Sequence, residues 1–225
     1  MKIIAIIPAR DNSKRIKNKN LLKIDNKYVL QINYQNIKKM NLFDKIILST
    51  ESLRIKKIAK KINYDFVIDR PKQLAKDHIS TTAVISHAIK FLKNKIDFTH
   101  VCCVYPMSIL IKKEDLFNAK KILKGKNDIA FSGLKYSHPI QRAFKIRKNR
   151  SIKYNLQEKF IFKKTQSFSD NFHDAGQFYL GHFNAWNNFS KSRKKCVELP
   201  STRAVDVDNY DDFKLLQANY NYNKK

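Results

Sequence analysis

The sequence is poor in the residues that mark fibrous, loop-rich or disulfide-stapled proteins. Its 225 residues include only 4 Gly, 5 Pro and 3 Cys. So little Gly and Pro excludes collagen-like and Pro/Gly-rich low-complexity chains. Cys102 and Cys103 are adjacent in an apolar run and Cys196 stands alone, a pattern without metal-ligand spacing. We expect the adjacent pair to be small core residues of a cytoplasmic protein.

Long hydrophobic runs are also missing. No stretch approaches the roughly 18 apolar residues of a membrane-spanning helix. The apolar run at residues 3–7 is too short for a signal-peptide core and is typical of a buried strand. Apolar residues still make up 43% of the chain and aromatic residues 12%, which excludes a disordered protein. We therefore predict one domain over residues 1–225 that buries a core without staples.

Acidic residues are scarce relative to basic ones. The chain has 19 Asp and Glu against 46 Lys and Arg, a net charge of +27. Such an excess is compatible with a polyanionic partner such as nucleic acid or an anionic membrane. Only 9 of the basic residues are Arg, however, and the Lys residues are dispersed. Because nucleic-acid readers favour Arg, we predict neither a nucleic-acid nor a membrane partner. A basic nucleic-acid-binding protein is kept as the alternative from another class.

Apolar runs alternate with helical patterns in the first half of the chain. Runs with the length of buried strands lie at 2–7, 44–49, 65–68 and 98–104. Amphipathic patterns with helical period lie at 29–40, 53–62, 81–92 and 113–123. This alternation predicts an α/β fold: a mostly parallel, Rossmann-like sheet with helices on both faces. Such a sheet binds ligands at the carboxyl ends of its strands.

Beyond residue 125 the pattern is less regular. We predict strands at 130–135, 143–147, 177–181 and 204–207 and a terminal helix at 211–220. Residues 147–172 mix Phe with Lys and Asn and fit neither element. We therefore predict that residues of about 135–175 form an arm inserted into the domain. An arm this aromatic is expected to pack on a second copy of the chain, or alternatively to fold back as a lid.

The first predicted strand runs into a strongly basic loop. Its cations are Arg10, Lys14, Arg15 and Lys19. Residues 11–13, of types that adopt turns, lie among them and expose backbone N–H groups. N–H donors together with cations suit a triphosphate, although the Walker pattern is absent. An ordinary basic loop is the alternative.

Two acidic residues near the end of the chain stand two positions apart. In an extended segment this spacing places the Asp206 and Asp208 carboxylates on one face. Like charges on one face repel unless a cation lies between them. Mg²⁺ suits the pair, since it takes one or two carboxylates together with substrate phosphates and water. Solvent-facing acids or caps of the last helix are the alternative.

Four segments resemble, in order, signatures of the nonulosonate cytidylyltransferases, the CMP-sialic acid synthetase family. They are IPARDNSKRIKNKN (7–20), LSTES (48–52), RPKQLAKDHISTTAVISHAI (70–89) and VDVD (205–208). HPIQRAFKI (138–146) and FHDAGQFYLG (172–181) are similar to the branch that activates pseudaminic acid. YPMSILI (105–111) departs from that branch at Met107 and Ile109, which leaves the sugar specificity open.

The resemblance implies an enzyme that couples CTP to a nonulosonic acid, pseudaminic acid first of all, and releases pyrophosphate. Legionaminic acid, sialic acid or another keto-deoxy sugar acid is the alternative. The implied catalytic residues are Lys14, Arg10 and Asp208, with Mg²⁺ held by Asp206 and Asp208. The resemblance also implies a homodimer in which the arm of one subunit reaches the active site of the other.

The remaining site candidates follow from the matched segments. For the nucleotide they are Arg10, Asn12, Ser13, Lys14, Lys19, Asn20, Arg70, Asp77 and Thr81. Asn20 and Arg70 offer groups for the cytosine edge, whereas a structural bridge from Arg70 to Asp69 or Asp77 is the alternative. For the sugar acid the candidates are Tyr105, Gln141, Arg142, Gln177 and Tyr179. An Arg with amides fits a carboxylate and hydroxyl groups, although Tyr179 alone is equally typical of a core aromatic.

Overall fold

The computed structural model describes residues 1–11, 13 and 15–224. Strands run over Ile3–Pro8 (β1), Lys23–Ile24 (β2), Lys27–Tyr28 (β3), Lys45–Thr50 (β4), Phe66–Asp69 (β5), His100–Val104 (β6), Asp128–Lys135 (β7), Phe144–Ile146 (β8), Ile152–Tyr154 (β9), Phe172–His182 (β10) and Arg193–Glu198 (β11). Helices run over Val29–Lys39 (α1), Leu53–Ile62 (α2), Thr81–Leu92 (α3), Lys113–Ile122 (α4), Phe183–Asn187 (α5) and Tyr210–Asn223 (α6). None of these helices is both long and apolar enough to cross a bilayer.

Seven strands form the central sheet, in the order β11-β7-β10-β6-β1-β4-β5. β1 pairs in parallel with β4 and β6, β4 with β5, and β7 with β11. β10 alone among these strands runs antiparallel to its neighbours β6 and β7. The predicted mostly parallel α/β sheet is therefore confirmed.

Alternating side chains of β1 supply both faces of the sheet, because successive residues of a strand point in opposite directions. Ala5 and Ile7 belong to a core cluster that includes residues of α1, α2 and α4. Ile4 and Ile6 belong to a second cluster that includes residues of α3 and α5. Helices therefore cover the sheet on both faces, which explains why the strand sequences are almost continuously apolar.

A third core cluster lies among the loops beyond the carboxyl ends of the strands. Its fully or nearly buried members are Ile16, Ile24, Val29, Ile32, Met107, Ile109, Leu110, Val205, Val207 and Leu216. They come from the basic first loop, β2, α1, the loop after β6, the acidic 204–208 segment and α6. One apolar contact region thus holds together the loops in which the site candidates occur.

The sequence-based expectations failed at two places in the second half of the sheet. Residues 204–207 do not form a strand, because Val205 and Val207 pack into the third core cluster instead of pairing with a neighbour. β11, which was not predicted, forms the sheet edge beside β7. An edge strand is paired on one side only and buries little, so RKKCVE carries a weak apolar signal.

An arm projects between β7 and β10. Its base is the pairing of Lys135 with Phe172, and it contains the antiparallel hairpin of β8 and β9. Large apolar side chains in it are exposed, Ile146 to 70% and Phe162 to 84%. The insertion expected at about residues 135–175 corresponds to this arm. Its role in dimerisation stays a prediction.

A buried ion pair fixes the chain just before the 204–208 segment. Both terminal guanidinium nitrogens of Arg203 donate to the Asp115 carboxylate of α4, at 2.5 and 3.0 Å. Nη1 of Arg203 also donates to the Leu110 carbonyl at 3.4 Å. The pair therefore connects the approach to Asp206 with α4 and with the loop after β6.

Replacing Arg203 by Met is expected to lower the free energy of unfolding by about 3–5 kcal/mol, because Asp115 would stay buried without its counter-ion. Urea unfolding followed by circular dichroism measures the change. Lys214→Met is the matched control, since Lys214 is an exposed cation paired with Asp211, and little change is expected. Equal unfolding midpoints for the two variants would show that the Arg203 pair contributes no more than a surface pair.

Candidate active site

A cleft of about 610 Å³ opens where β1 and β6 end. The sequence-predicted site residues that line it are Arg10, Ser13, Lys19, Asn20, Arg70, Asp77, Thr81, Tyr105, Asp206 and Asp208. Residues far apart in the sequence therefore meet at the edge of the sheet predicted for ligands. Asn12 and Lys14 lie outside the described residues.

Two arginines of the first loop are held at the cleft by carboxylates. Arg10 donates to Asp77 at 2.6 Å, and Arg15 donates to Asp208 at 2.5 Å. The Arg15 side chain is 70% exposed, so this pair lies open to solvent and to an incoming anion. Arg15 was expected only to be one of the loop cations and not a site residue. Its pairing with Asp208 and its place in the lining of the cleft assign it to the site.

The acidic segment turns its carboxylates toward the cleft although it is not a strand. Val205 and Val207 are buried, whereas Asp206 and Asp208 line the cavity, so the alternation expected of an extended segment is present. The Asp208 N–H donates to Asp212 Oδ2 at 2.7 Å, within the N-terminal cap of α6. The start of α6 thereby fixes the backbone of Asp208.

Opposite charges converge around these two carboxylates. Desolvation by the cleft walls raises the pKa of Asp206, and the neighbouring Asp208 raises it further, while Lys19 and Arg15 lower it. Desolvation also lowers the pKa of Lys19, against the opposing effect of Asp206 and Asp208. The site thus holds two mutually repelling carboxylates beside cations, an arrangement that an added cation and an anionic ligand would both relieve.

The carboxylate pair fits Mg²⁺ only if a substrate supplies further ligands. In the described part of the chain, no group of three or more His, Cys, Asp or Glu side chains is placed to hold a metal ion. Mg²⁺, however, is commonly bound by one or two carboxylates with substrate phosphates and water. The repulsion between Asp206 and Asp208 is the feature of the structure that favours a cation here.

Arg70 is almost fully buried at the cleft and pairs with Glu51. Its Nη2 donates to Glu51 Oε2 at 2.5 Å, and the same nitrogen lies 3.5 Å from the Ala9 carbonyl. Glu51 Oε1 also accepts the Asp11 N–H at 2.9 Å. The expected alternative partners of Arg70 were Asp69 and Asp77, so a structural bridge exists but to a different carboxylate. Glu51 lies in the LSTES segment, whose resemblance to the family signature was the only sequence feature that pointed to it.

Arg70 keeps donor capacity for a ligand. Its buried Nε has no hydrogen-bond partner within the described structure, and the side chain lines the cleft. Asn20, by contrast, already donates from Nδ2 to the Arg10 carbonyl at 2.8 Å. Asn20 therefore holds the backbone of the first loop, whereas Arg70 has, near the cavity, an N–H without a partner among the described residues.

A smaller cavity of about 200 Å³ adjoins the cleft and shares Thr81 and Tyr105 with it. The other residues lining it are Thr82, Tyr179, Trp186 and Phe189. The Tyr105 hydroxyl donates to Thr81 Oγ1 at 3.4 Å. Burial raises the pKa of both Tyr105 and Tyr179, so both hydroxyls remain protonated at neutral pH. Aromatic walls with hydroxyl groups suit a sugar with apolar substituents.

Tertiary packing alone brings Trp186 and Phe189 to this cavity. Trp186 donates its indole N–H to the Val101 carbonyl at 3.0 Å, and its ring stacks with that of Phe189 at 5.5 Å. The sequence carries no motif around them, and the short helix α5 was not predicted. Both residues were therefore missed.

Three predicted sugar ligands line neither of the two cavities. Gln177 is buried, and its Nε2 donates to the carbonyls of Ala175 at 2.7 Å and Val205 at 3.3 Å. Gln141 and Arg142 lie on the arm, where Arg142 donates to the Lys163 carbonyl and the Thr165 hydroxyl. Gln141 Oε1 and Arg142 Nε are buried and have no hydrogen-bond partner within the described residues. The sugar-binding roles of the three residues stay predictions.

Comparison with known proteins points in one direction. A family model described as cytidylyltransferase matches residues 4–225. Pseudaminic acid cytidylyltransferase of Campylobacter jejuni is 32% identical over 99% of this chain and 98% of that protein. A Helicobacter pylori protein named pseudaminic acid cytidylyltransferase and UDP-2,4-diacetamido-2,4,6-trideoxy-beta-L-altropyranose hydrolase is 31% identical over 97% of this chain and 42% of its own length.

A solved structure shares the fold. CMP:2-keto-3-deoxy-manno-octonic acid synthetase complexed with CTP aligns with a TM-score of 0.69 over 99% of this chain and 100% of that one. The sequence identity is 15%, so this likeness concerns the fold alone.

Replacing Glu51 by Gln is expected to lower the free energy of unfolding by about 3 kcal/mol or more, because the buried Arg70 would lose its counter-ion. Urea unfolding at neutral pH measures the loss. The double variant Arg70→Met with Glu51→Met removes both charges and should be less destabilised than Arg70→Met alone or Glu51→Met alone. Additive losses in the double variant would contradict the coupling of these two side chains.

Proposed function

The chain belongs to the cytidylyltransferase family, and on that premise we propose that it transfers the cytidylyl group of CTP to a nonulosonic acid and releases pyrophosphate. The observation that carries the proposal is the cleft, in which the basic first loop and the Asp206–Asp208 pair line one cavity. Similarity over nearly the full length to pseudaminic acid cytidylyltransferases makes pseudaminic acid the first candidate substrate.

The first loop and the segment after β5 are the proposed nucleotide site. Arg10 and Arg15 lie where a triphosphate would replace their carboxylate partners with phosphate oxygens, and Lys19 lines the same cleft. Arg70 offers its unused N–H to the cytosine edge. Ser13, Thr81 and Asp77 line the same cleft, and Lys14, adjacent in sequence to Ser13, is the candidate for the reacting phosphate.

Asp206 and Asp208 are the proposed ligands of Mg²⁺ in the presence of CTP. When bound, Mg²⁺ would neutralise phosphate charge and lower the pKa of a coordinated hydroxyl. The anomeric hydroxyl of the sugar acid attacks the α-phosphorus in line, and the bond to pyrophosphate breaks. Asp208 is the candidate acceptor of the hydroxyl proton. Arg10 and Lys14 stabilise the phosphate charge, so catalysis consists chiefly of positioning and electrostatics.

Tyr105 and Tyr179 are the proposed walls of the sugar site. Of the two unusual residues of YPMSILI, Ile109 is buried in the third core cluster, so it serves packing and does not count against this sugar site. Met107 belongs to the same cluster but also lines the cleft, so it is the position through which specificity could differ. A legionaminic, sialic or other keto-deoxy acid is the alternative substrate.

The exposed arm supports a homodimer as the working assembly. Phe144, Ile146 and Phe162 are at least half exposed on it, which leaves apolar surface for a second copy to cover. Gln141 and Arg142 lie on the same arm and away from the cleft of their own chain. We propose that they contribute to the sugar site of the partner subunit.

Pyrophosphate release from four nucleotides, each combined with several nonulosonic acids, tests the function. Release only with CTP, and only when a nonulosonic acid is present, is the expected result. Affinity for DNA and RNA over a salt series serves as the control, because tight and steeply salt-dependent binding without turnover would favour the nucleic-acid alternative.

Asp206→Asn and Asp208→Asn are each expected to reduce turnover by about a hundredfold or more, because each carboxylate is assigned to the metal. The reaction is measured by pyrophosphate release at limiting Mg²⁺, with circular dichroism to check folding. Asp211→Asn is the control, since Asp211 is nearby, 88% exposed and paired only with Lys214 in the described structure. Near-normal turnover in both test variants would remove the metal assignment.

Mixing an Arg142→Ala variant with an Asp208→Asn variant tests whether subunits share a site. Each variant alone is expected to be nearly inactive, and the mixture should regain part of the activity because some heterodimers contain one intact site. Light scattering at micromolar concentration gives the mass. A fully active species of 26.5 kDa would exclude the dimer, and no recovery on mixing would confine each site to one chain.

A further inference from the structure

The register of β10 is interrupted beside the cleft. Asp174 pairs with Gly133 and Tyr179 with Phe131, so residues 175–178 lie opposite Ser132 alone. The Ser132 hydroxyl accepts the N–H groups of Gln177 at 3.1 Å and Phe178 at 3.2 Å. This bulge bends the strand at the point where it passes the cleft, as bulges next to functional sites do.

The bulge contacts the acidic segment and also Tyr105, which lines both the cleft and the smaller cavity. Gly176 has a φ of +61°, and a Cβ at that position would lie 3.5 Å from Cγ of Asp206. The side chain of Gln177 donates to the Val205 carbonyl, and the backbone carbonyl of Gln177 accepts the Tyr105 N–H at 3.0 Å. The shape of the bulge therefore sets where both Asp206 and Tyr105 lie.

The Asp174 carboxylate closes this bulge from outside the cleft. Its Oδ1 accepts the Gly176 N–H at 2.9 Å, and its Oδ2 accepts the Tyr179 hydroxyl. Asp174 takes part in no ion pair within the described residues, although basic residues outnumber acidic ones 46 to 19. Among the described residues, both oxygens are thus hydrogen-bonded to the two ends of the bulge and not to a cation.

We propose that Asp174 is a positioning residue with two effects. It holds Gly176 against Asp206, and it holds Tyr179 in the wall of the smaller cavity, the proposed sugar site. It acts through these two contacts and does not line either cavity. The inference rests on the proposed function, because it assigns Asp174 to the alignment of the sugar acid with the metal-binding carboxylate. Nucleotide binding, which depends on the first loop and Arg70, should not need it.

The test compares Asp174→Ala, Asp174→Asn and Tyr179→Phe with Asp97→Ala, which removes an exposed acid paired with Lys2. In Asp174→Ala, kcat/KM for the sugar acid should fall about tenfold to a hundredfold through misalignment. The Kd of CTP without metal, measured by calorimetry, should stay close to that of the unmodified enzyme.

Asp174→Asn should recover part of the loss, since its amide oxygen can still accept the Gly176 N–H. The variant combining Asp174→Ala with Tyr179→Phe should be scarcely worse than Asp174→Ala.

Amide hydrogen exchange supplies a readout that does not depend on turnover. In Asp174→Ala, exchange at residues 175–179 and at Tyr105 should be about tenfold faster, with no change in α2. Unchanged exchange, or an equal loss of CTP binding and sugar turnover, would overturn the positioning role. An unmodified enzyme that turns over no nonulosonic acid would instead overturn the proposed function, and the exchange data would still decide the role of Asp174.

Discussion

The third core cluster is the constraint on which the candidate site depends. The basic first loop contributes Ile16 to it, the loop after β6 contributes Met107, and the acidic segment contributes Val205 and Val207. These segments are far apart in the chain and carry the polar residues of the cleft. Because their apolar side chains share one buried contact region, the polar side chains between them are held at the cavity. Loss of this packing would separate the candidate phosphate and metal ligands without altering any of them.

Electrostatics adds a second constraint to this packing. The chain has only 19 acidic residues, yet Asp77, Asp206 and Asp208 all line one cleft. Asp77 and Asp208 form ion pairs with Arg10 and Arg15 of the first loop, and Lys19 and Arg15 of that loop lower the pKa of Asp206. Each of the three carboxylates is therefore compensated by a cation. The pairs that hold Arg10 and Arg15 are partly exposed, whereas the pair of Arg70 with Glu51 is buried. The exposed pairs can exchange partners when an anion binds, and the buried one maintains the frame.

The strand β10 connects the proposed metal site with the proposed sugar site. It enters from the arm, bulges at residues 175–178 past Asp206, and continues with Tyr179 into the wall of the smaller cavity. Gln177 was expected to bind the sugar, and that role stays a prediction. Within one chain its Nε2 donates to the Val205 carbonyl, so its side chain connects the bulge to the acidic segment.

Local sequence determined the alternating strands and helices of residues 3–122, the basic loop after β1 and the common face of Asp206 and Asp208. Each of these follows from the residue types and spacing of neighbours along the chain, which is the information that periodicity carries. Tertiary structure decided that Glu51 pairs with Arg70, that residues 204–207 pack without forming a strand, and that Trp186 and Phe189 adjoin the cleft. These outcomes depend on which distant segments compete for the same buried surface, and no local pattern encodes that competition.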